Sequence, residues 1–351
     1  MDLELLKSKF RGTMLGVLVG DILGRPYEGE EVISDRKKIY LQQKLDILEE
    51  IKFRESVMEF SDDSAMTRSV AESLIEKRDL DIVDVAKRFV ESYYQNPKRG
   101  YEIGCMNVLT TKKLKELKNK KIEPGIDVKG PAKDIFRGAG SYSNGGAMKI
   151  APVSLFLYNN YDNLLHYVKE VTQITHAHEL GINGAILQAI AIQQSLCLHP
   201  SEELNVSNFI DDLVNKMDKI EVDESQPYKE RLKKIKNLLS ETGDEPNEQR
   251  IIKELGNKFT ALESVPTAIF CFLKAQRRIK KIRTDNPVRR AIQYAITLGG
   301  DTDTIASMTG AIAGAFYGHE KFSRLLLSHC EQADRFEELA DVLLKVATSK
   351  T

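Results

Sequence analysis

The chain has 351 residues, 42% of them hydrophobic, which suits a large core and a single domain over residues 1–351. Its 51 basic and 52 acidic side chains leave a formal net charge of −1, which excludes a dominant electrostatic footprint for nucleic acid or a membrane surface. The four cysteines, Cys105, Cys197, Cys271 and Cys330, form no CxxC pair and sit in mostly apolar surroundings, so they read as reduced core thiols of an intracellular protein. Met1-Asp2-Leu3-Glu4 is acidic and lacks the apolar segment of a secretory signal. No apolar run reaches the length of a membrane span without a glycine or a charge.

Leu5 to Gly24 has a helical pattern in which Gly12, Gly16, Gly20 and Gly24 recur every fourth residue and share one narrow face. Glycine is costly inside a helix, and close approach of another backbone explains a stripe of it. A membrane dimer motif is opposed by Arg11, Asp21 and the shortness of the run. Gly24-Arg25-Pro26 ends the helix and Tyr27-Glu28-Gly29 follows. Residues 30–60 are charged, with one amphipathic piece around Ile39 to Ile51. In Phe60-Ser61-Asp62-Asp63-Ser64-Ala65-Met66, Ser61 is placed to cap a helix with Asp62 and Asp63 in its first turn. That helix runs to about Lys77.

Further helices are predicted over Ile82 to about Tyr94, closed by Asn96-Pro97, and over the lysine-rich, solvated stretch Val108 to Lys121. Glu123 to Phe136 holds Pro and Gly and reads as loop. Arg137 to Met148 is the densest glycine stretch and opens on apolar Ile150 to Tyr158. Leu164 to Thr175 is helical, Thr175-His176-Ala177-His178 follows, and a long apolar helix runs from about Leu180 to Leu198. Glu202 to Gln249 is the most polar part, where solvent-facing helices and a mobile loop near Thr242-Gly243-Asp244 are expected. Ser264 to Lys274 and Pro287 to Leu298 are helical, and Phe322 to Ala347 supplies the last helices. Period-2 alternation never persists, so the expected fold class is all-α.

In Leu298-Gly299-Gly300-Asp301-Thr302-Asp303-Thr304-Ile305-Ala306, two glycines end an apolar run and two carboxylates and two hydroxyls follow. Hard oxygen donors on a glycine-freed backbone suit a divalent cation such as Mg²⁺; plain helix capping is the other reading. The helix after Thr304 has its own small-residue stripe, Ala306, Gly310, Gly314 and Gly318. Antiparallel packing of the two stripes would set Asp21 and Glu28 beside Asp301 and Asp303, and the helix start after Ser61 would add Asp62 and Asp63. Repulsion among so many acids outweighs the ~0.3–1 kcal/mol that each gains from a helix dipole. The expectation is a site for two Mg²⁺ ions sharing carboxylates. Its rival is that these acids cap separate helices and never meet.

These residues carry a resemblance. Phe60-Ser61-Asp62-Asp63-Ser64-Ala65-Met66, Gly140-Ser141-Tyr142-Ser143-Asn144-Gly145-Gly146-Ala147-Met148, Thr175-His176-Ala177 and Gly299-Gly300-Asp301-Thr302-Asp303-Thr304 resemble the ADP-ribosylglycohydrolase family. Glu263-Ser264-Val265-Pro266-Thr267-Ala268 and Arg99-Gly100-Tyr101 resemble its ADP-ribosylserine hydrolase branch, and the match spreads from about Phe10 to Gly318. The resemblance implies an all-α, orthogonal multi-helix bundle with a binuclear Mg²⁺ cleft. It implies Glu28, Ser61, Asp62, Asp63, Asp301, Asp303 and Thr304 as metal ligands, with Glu28 gating the site. The loop of Ala139, Gly140, Ser141, Tyr142, Ser143, Asn144 and Gly145 would hold the diphosphate and distal part of ADP-ribose. Asp62 and His176 would touch the ligand and Phe136 would pack on it. Ser61 and Ser64 stand where the branch usually has threonines, which keeps the hydroxyls. Ser143 replaces a usual glycine, a change that tightens the loop.

Cleavage at the ribose anomeric carbon passes through an oxocarbenium-like state, and Glu28, Asp62 and Asp63 are the candidates for its general acid or base. Read without the resemblance, Gly138 to Gly146 is either a diphosphate loop working through backbone N–H groups or an ordinary tight loop. His176 alone reads as a capping or core histidine; His178 and His199 read as surface or structural. The implied function is Mg²⁺-dependent removal of ADP-ribose from serine on proteins, with hydrolysis of poly(ADP-ribose) and O-acetyl-ADP-ribose. The alternatives are an ADP-ribosylarginine hydrolase and a non-catalytic, crystallin-like member of the family. Implied partners are ADP-ribosylated proteins, the polymer and O-acetyl-ADP-ribose, without direct nucleic-acid or membrane contact. The chain is expected to be a monomer of the nucleus and cytoplasm, with the mitochondrial matrix as an alternative.

Overall fold

The structure is a computed structural model describing residues 2–50, 57–118, 125–222, 225–241 and 247–349. α1 (Leu3–Gly24), α2 (Asp35–Glu50), α3 (Asp62–Lys77) and α4 (Ile82–Gln95) come first. The short helices α5 (Ile103–Leu109), α6 (Lys112–Lys115), α7 (Gly130–Asp134) and α8 (Ala151–Phe156) flank the glycine-rich loop. Then follow α9 (Tyr161–Thr172), α10 (Glu179–Cys197), α11 (Val206–Ile220), α12 (Pro227–Ser240) and α13 (Glu248–Leu255). α14 (Ala261–Lys274), α15 (Pro287–Thr297), α16 (Thr302–Tyr317), α17 (Arg324–Ser328) and α18 (Ala333–Thr348) complete the chain. No strand occurs among the described residues, so the fold is all-α as the patterning predicts.

At the centre α1 and α16 lie antiparallel, with Gly12 against Gly314, Gly16 against Gly310, Gly20 against Ala306 and Gly24 against Thr302. A Cβ at Gly16 would sit 2.0 Å from the Gly310 carbonyl oxygen, and one at Gly314 would sit 1.9 Å from that of Gly12. Both stripes therefore exist to bring two backbones into contact, and any side chain there would drive them apart. α10, α14 and α15 pack around α16, and α18 covers α1. Lys9 is wholly buried and donates to the carbonyls of Ser195, Leu196 and Leu198, which are orphan acceptors at the end of α10.

Several expectations need correction. The lysine-rich stretch is not one helix: α5 stops at Leu109, and Thr111 caps a new short turn by accepting from the Leu114 N–H. Residues 119–121 lie outside the described residues, as do Ile51, residues 123–124 and the Thr242-Gly243-Asp244 loop. The loop before Phe136 contains α7. All four cysteines are free, but Cys197 is exposed where a core position was expected. α10 is long and apolar enough to cross a membrane, and is mostly buried inside the protein.

Candidate metal centre beside a glycine-rich loop

The turn entering α16 is built on Gly299 and Gly300, with φ of 71° and 76°, conformations that glycine adopts without strain. It is tied down from two sides. The Asp301 N–H donates to the Asn257 carbonyl at 2.8 Å, the Gly300 N–H to the Glu30 carbonyl at 2.7 Å, and the Gly29 N–H to the Gly300 carbonyl at 2.9 Å. The loop carrying Glu28 is thus paired to the turn carrying Asp301. Asp301 occupies the N-cap position of α16 without capping it; its carboxylate instead accepts from the Asn144 side chain at 2.5 Å. Glu28, Asp301 and Asp303 each offer an oxygen within 4.8 Å of the others, Glu28 at the exposed rim and Asp303 buried.

The second acidic stretch arrives as its sequence suggests. Ser61 caps α3, its Oγ accepting from the Asp63 N–H at 3.2 Å. Asp21 lies among the acids as expected, its charge acting on Asp62, Asp63, Glu28 and Asp303, but its oxygens are taken up by backbone and hydroxyl donors. Fully buried, it accepts from the Ser61 N–H at 3.0 Å, the Ser64 N–H at 3.1 Å and the Ser64 hydroxyl at 2.6 Å. It fastens the start of α3 to α1, because unpaired helix N–H groups are strong partners for a buried carboxylate. Asp62 and Asp63 are thereby placed beside the α16 turn. Thr304 Oγ1 lies 3.4 Å from Asp63 Oδ1, while Asp63 Oδ2 is buried with no hydrogen-bond partner. Asp62 Oδ1 faces Gly100, where a Cβ would lie 3.4 Å from it.

Burial, reinforced by mutual repulsion, raises these acids. Asp62 is pushed up to about 8, first by burial and then by the charge of Asp21. Asp63 and Asp303 are driven well above the usual carboxylate range by burial and next by Asp21 and Asp301 respectively. Glu28 and Asp301 rise as well, burial leading in both. The Arg25 guanidinium donates to the carbonyls of Glu59 and Phe60 at 3.3 and 3.1 Å, and its charge offsets only part of the rise at Glu28. Oxygen donors from three segments, with one buried oxygen left without a donor, fit a hard divalent cation. Ser61 and Thr304 add buried hydroxyls at the same place.

The glycine-rich loop borders this cluster. Its entry is strained: Phe136 and Arg137 are non-glycine residues at φ of 52° and 59°. Its later part is held by His178 N–H to the Ser141 carbonyl at 3.3 Å, Asn144 N–H to Phe259 at 2.9 Å and Ala261 N–H to Tyr142 at 3.1 Å. Phe136, Ala139 and Tyr142 are exposed; Gly140, Ser141, Ser143, Asn144 and Gly145 are buried. Asn144 is the joint between loop and acids. His176 lies beneath the loop, 1% exposed, with Nδ1 2.7 Å from Thr175 Oγ1 and Nε2 2.9 Å from Ser143 Oγ. A Cβ at Gly145 would meet its ring at 2.5 Å. Both ring nitrogens are partnered by protein, so His176 braces the loop from inside.

Two further residues escaped sequence reasoning. Lys149 is wholly buried and donates to the Gly145 carbonyl at 2.6 Å; a lone lysine between Met148 and Ile150 was its available signal. Glu102 accepts from Ser143 Oγ at 2.6 Å, and nothing local in the sequence announces that pairing. A surface cleft of about 630 Å³ at the far end of α16, lined by Phe316, Tyr317 and Arg277 among others, contains none of these residues.

The family model for ADP-ribosylglycohydrolases matches residues 2–351. An ADP-ribosylhydrolase ARH3 of Mus musculus is 38% identical over 360 residues, covering 97% of this chain and 92% of that protein. The ADP-ribosylhydrolase ARH3 of Homo sapiens is 38% identical over 354 residues, covering 97% and 93%. Among solved structures, an ADP-ribosylglycohydrolase-related protein complex superposes with a TM-score of 0.66 over 98% of this chain and 100% of that one, at 18% identity, a likeness of fold.

Proposed function

The chain belongs to the ADP-ribosylglycohydrolase family, and on that premise we propose that it is a Mg²⁺-dependent hydrolase removing ADP-ribose from serine on proteins. Poly(ADP-ribose) and O-acetyl-ADP-ribose, which present the same ribose carbon or its neighbouring hydroxyl, are the further substrates of this reading. The observation that carries it is the meeting of Glu28, Asp301 and Asp303, next to a loop that Asn144 ties to Asp301.

Ser61, Asp62, Asp63, Asp301, Asp303 and Thr304, with Glu28 at the rim, would hold two Mg²⁺ ions. Bound there, such ions supply Lewis acidity toward ribose hydroxyls and toward an attacking water. The protein's own groups do the rest. Phe136 and Tyr142 offer exposed aromatic faces to a purine. The backbone of Ser141 to Gly145 suits a diphosphate. The Asn144–Asp301 bond registers the diphosphate end of the ligand against its ribose end. Glu28, at the exposed rim beside Asp301 and Asp303, is the acid nearest the space a leaving group would occupy and is the candidate to protonate a departing oxygen.

The test is release of free ADP-ribose, read by mass spectrometry, from peptides modified on serine or on arginine, with Mg²⁺ or with EDTA. Release from the serine peptide with Mg²⁺ alone supports the proposal. Release from the arginine peptide only would replace it with the arginine hydrolase. Turnover of neither, with ADP-ribose still bound, would leave a binding protein.

A further inference from the structure

Lys149 and Glu102 take no part in the chemistry above, yet they are the two ends of one chain of hydrogen bonds under the loop. Lys149 Nζ donates to Thr175 Oγ1 at 2.7 Å. Thr175 Oγ1 is 2.7 Å from His176 Nδ1, and His176 Nε2 is 2.9 Å from Ser143 Oγ. Ser143 Oγ donates to Glu102 Oε2 at 2.6 Å. The Glu102 end fixes the direction, because a carboxylate only accepts, and the ammonium at the other end, which only donates, agrees with it. Ser143 gives its one proton to Glu102, so it accepts from His176 Nε2–H. With the ring proton on Nε2, Nδ1 accepts, and Thr175 Oγ1, which also accepts from Lys149, gives it its proton. Every proton points from Lys149 toward Glu102, and His176 is held as the neutral Nε2–H tautomer. Burial, which pushes His176 down to about 4, keeps it neutral.

Glu102 is committed to this role. It stands at the N-cap position of α5, yet its side chain makes no capping bond to that helix. Ser141 Oγ donates to Ser143 Oγ at 3.0 Å and accepts from the Ser143 N–H at 3.2 Å, so the loop's shape is tied to the same hydroxyl. At the other end Lys149 holds the Gly145 carbonyl. We propose that Glu102 is a positioning residue: by closing the chain it fixes one tautomer of His176 and one shape of the Ser141–Gly145 loop before a ligand arrives. The consequence for binding rests on the reading of that loop as an ADP-ribose subsite.

The experiment compares wild type, Glu102→Gln, Glu102→Ala, Ser143→Gly and the Glu102→Ala/Ser143→Gly pair. Imidazole ¹⁵N spectra report the tautomer of His176, assigned by difference with a His176→Asn protein, and calorimetry with Mg²⁺ reports ADP-ribose affinity. Glu102→Ala and Ser143→Gly are each expected to mix the tautomers and weaken ADP-ribose by about tenfold, and the pair by no more than either alone. Glutamine, whose amide oxygen still accepts from Ser143, is expected to restore the single tautomer and most of the affinity. An unchanged His176 spectrum in Glu102→Ala, or losses that multiply in the pair, would overturn the proposal. A wild type that shows the tautomer but binds no ADP-ribose refutes the functional reading instead; the spectra of the variants then still decide the role of Glu102.

Discussion

A buried carboxylate oxygen without a donor is unstable unless a positive charge shares its pocket, and Asp63 Oδ2 is in that position. Asp303 sits beside it under the same strain, raised by burial and by Asp301 and Asp63. Asp303→Asn is therefore expected to lower ADP-ribose release by at least about a hundredfold, as loss of a metal ligand does. The metal-free variant should melt no lower than wild type, since a repulsive charge has gone. Full activity with unchanged Mg²⁺ affinity would remove Asp303 from the site. The same repulsion sets a pH dependence. With the folded value of Asp62 at about 8 against an ordinary 3.8, the folded state binds more protons than the unfolded one between those values. Stability then falls as pH rises through that window. In EDTA the melting temperature should decline from about pH 5 to about pH 8, and saturating Mg²⁺ should flatten the decline. A rise over that range in EDTA would contradict the arrangement.

Two helices, α3 and α16, carry the buried acids into place, and both are held against α1. Asp21 holds the start of α3 against α1 through Ser61 and Ser64. Asp21→Asn keeps an acceptor but turns an amide toward N–H donors, at a cost of about 2–4 kcal/mol, read as a lower melting temperature and weaker Mg²⁺ binding. A Cβ at Gly16 collides with the Gly310 carbonyl, so Gly16→Ala should cost about 1–3 kcal/mol or more and loosen the metal site at the end of the same helix pair. Lower stability with intact Mg²⁺ affinity would show that this spacing does not set the site. The glycine stripes and their antiparallel pairing were legible because each repeats with a helical period. The role of Asp21 was not, since its partners lie 40 and 43 residues away. The break in the lysine-rich stretch was signalled by Thr110-Thr111, whose capping chemistry lost to a favourable helix composition. The pairing of Glu102 with Ser143 spans 41 residues and has no periodic trace at all.

For the whole molecule, α1 packs against both α16 and α18, which joins the two ends of the chain, and we propose that the chain unfolds as one domain. Calorimetry should show one unfolding transition, moved upward by Mg²⁺ according to its affinity, by about 2.7 kcal/mol at a hundredfold excess over Kd. Two transitions that respond separately to Mg²⁺ would contradict a single domain. The all-α class was readable from the want of period-2 alternation, whereas the link from loop to acids through Asn144 depends on tertiary contact alone. Thr302 Oγ1 donates to the Gly24 carbonyl across 278 residues. A ribosome therefore delivers α1 long before its natural neighbour exists. Until α16 is made, the glycine face of α1 lacks the Gly310 and Gly314 backbone it packs on, and a polypeptide ended before Asp301 lacks Asp301, Asp303 and Thr304. Such distant closure predicts slow maturation after synthesis ends.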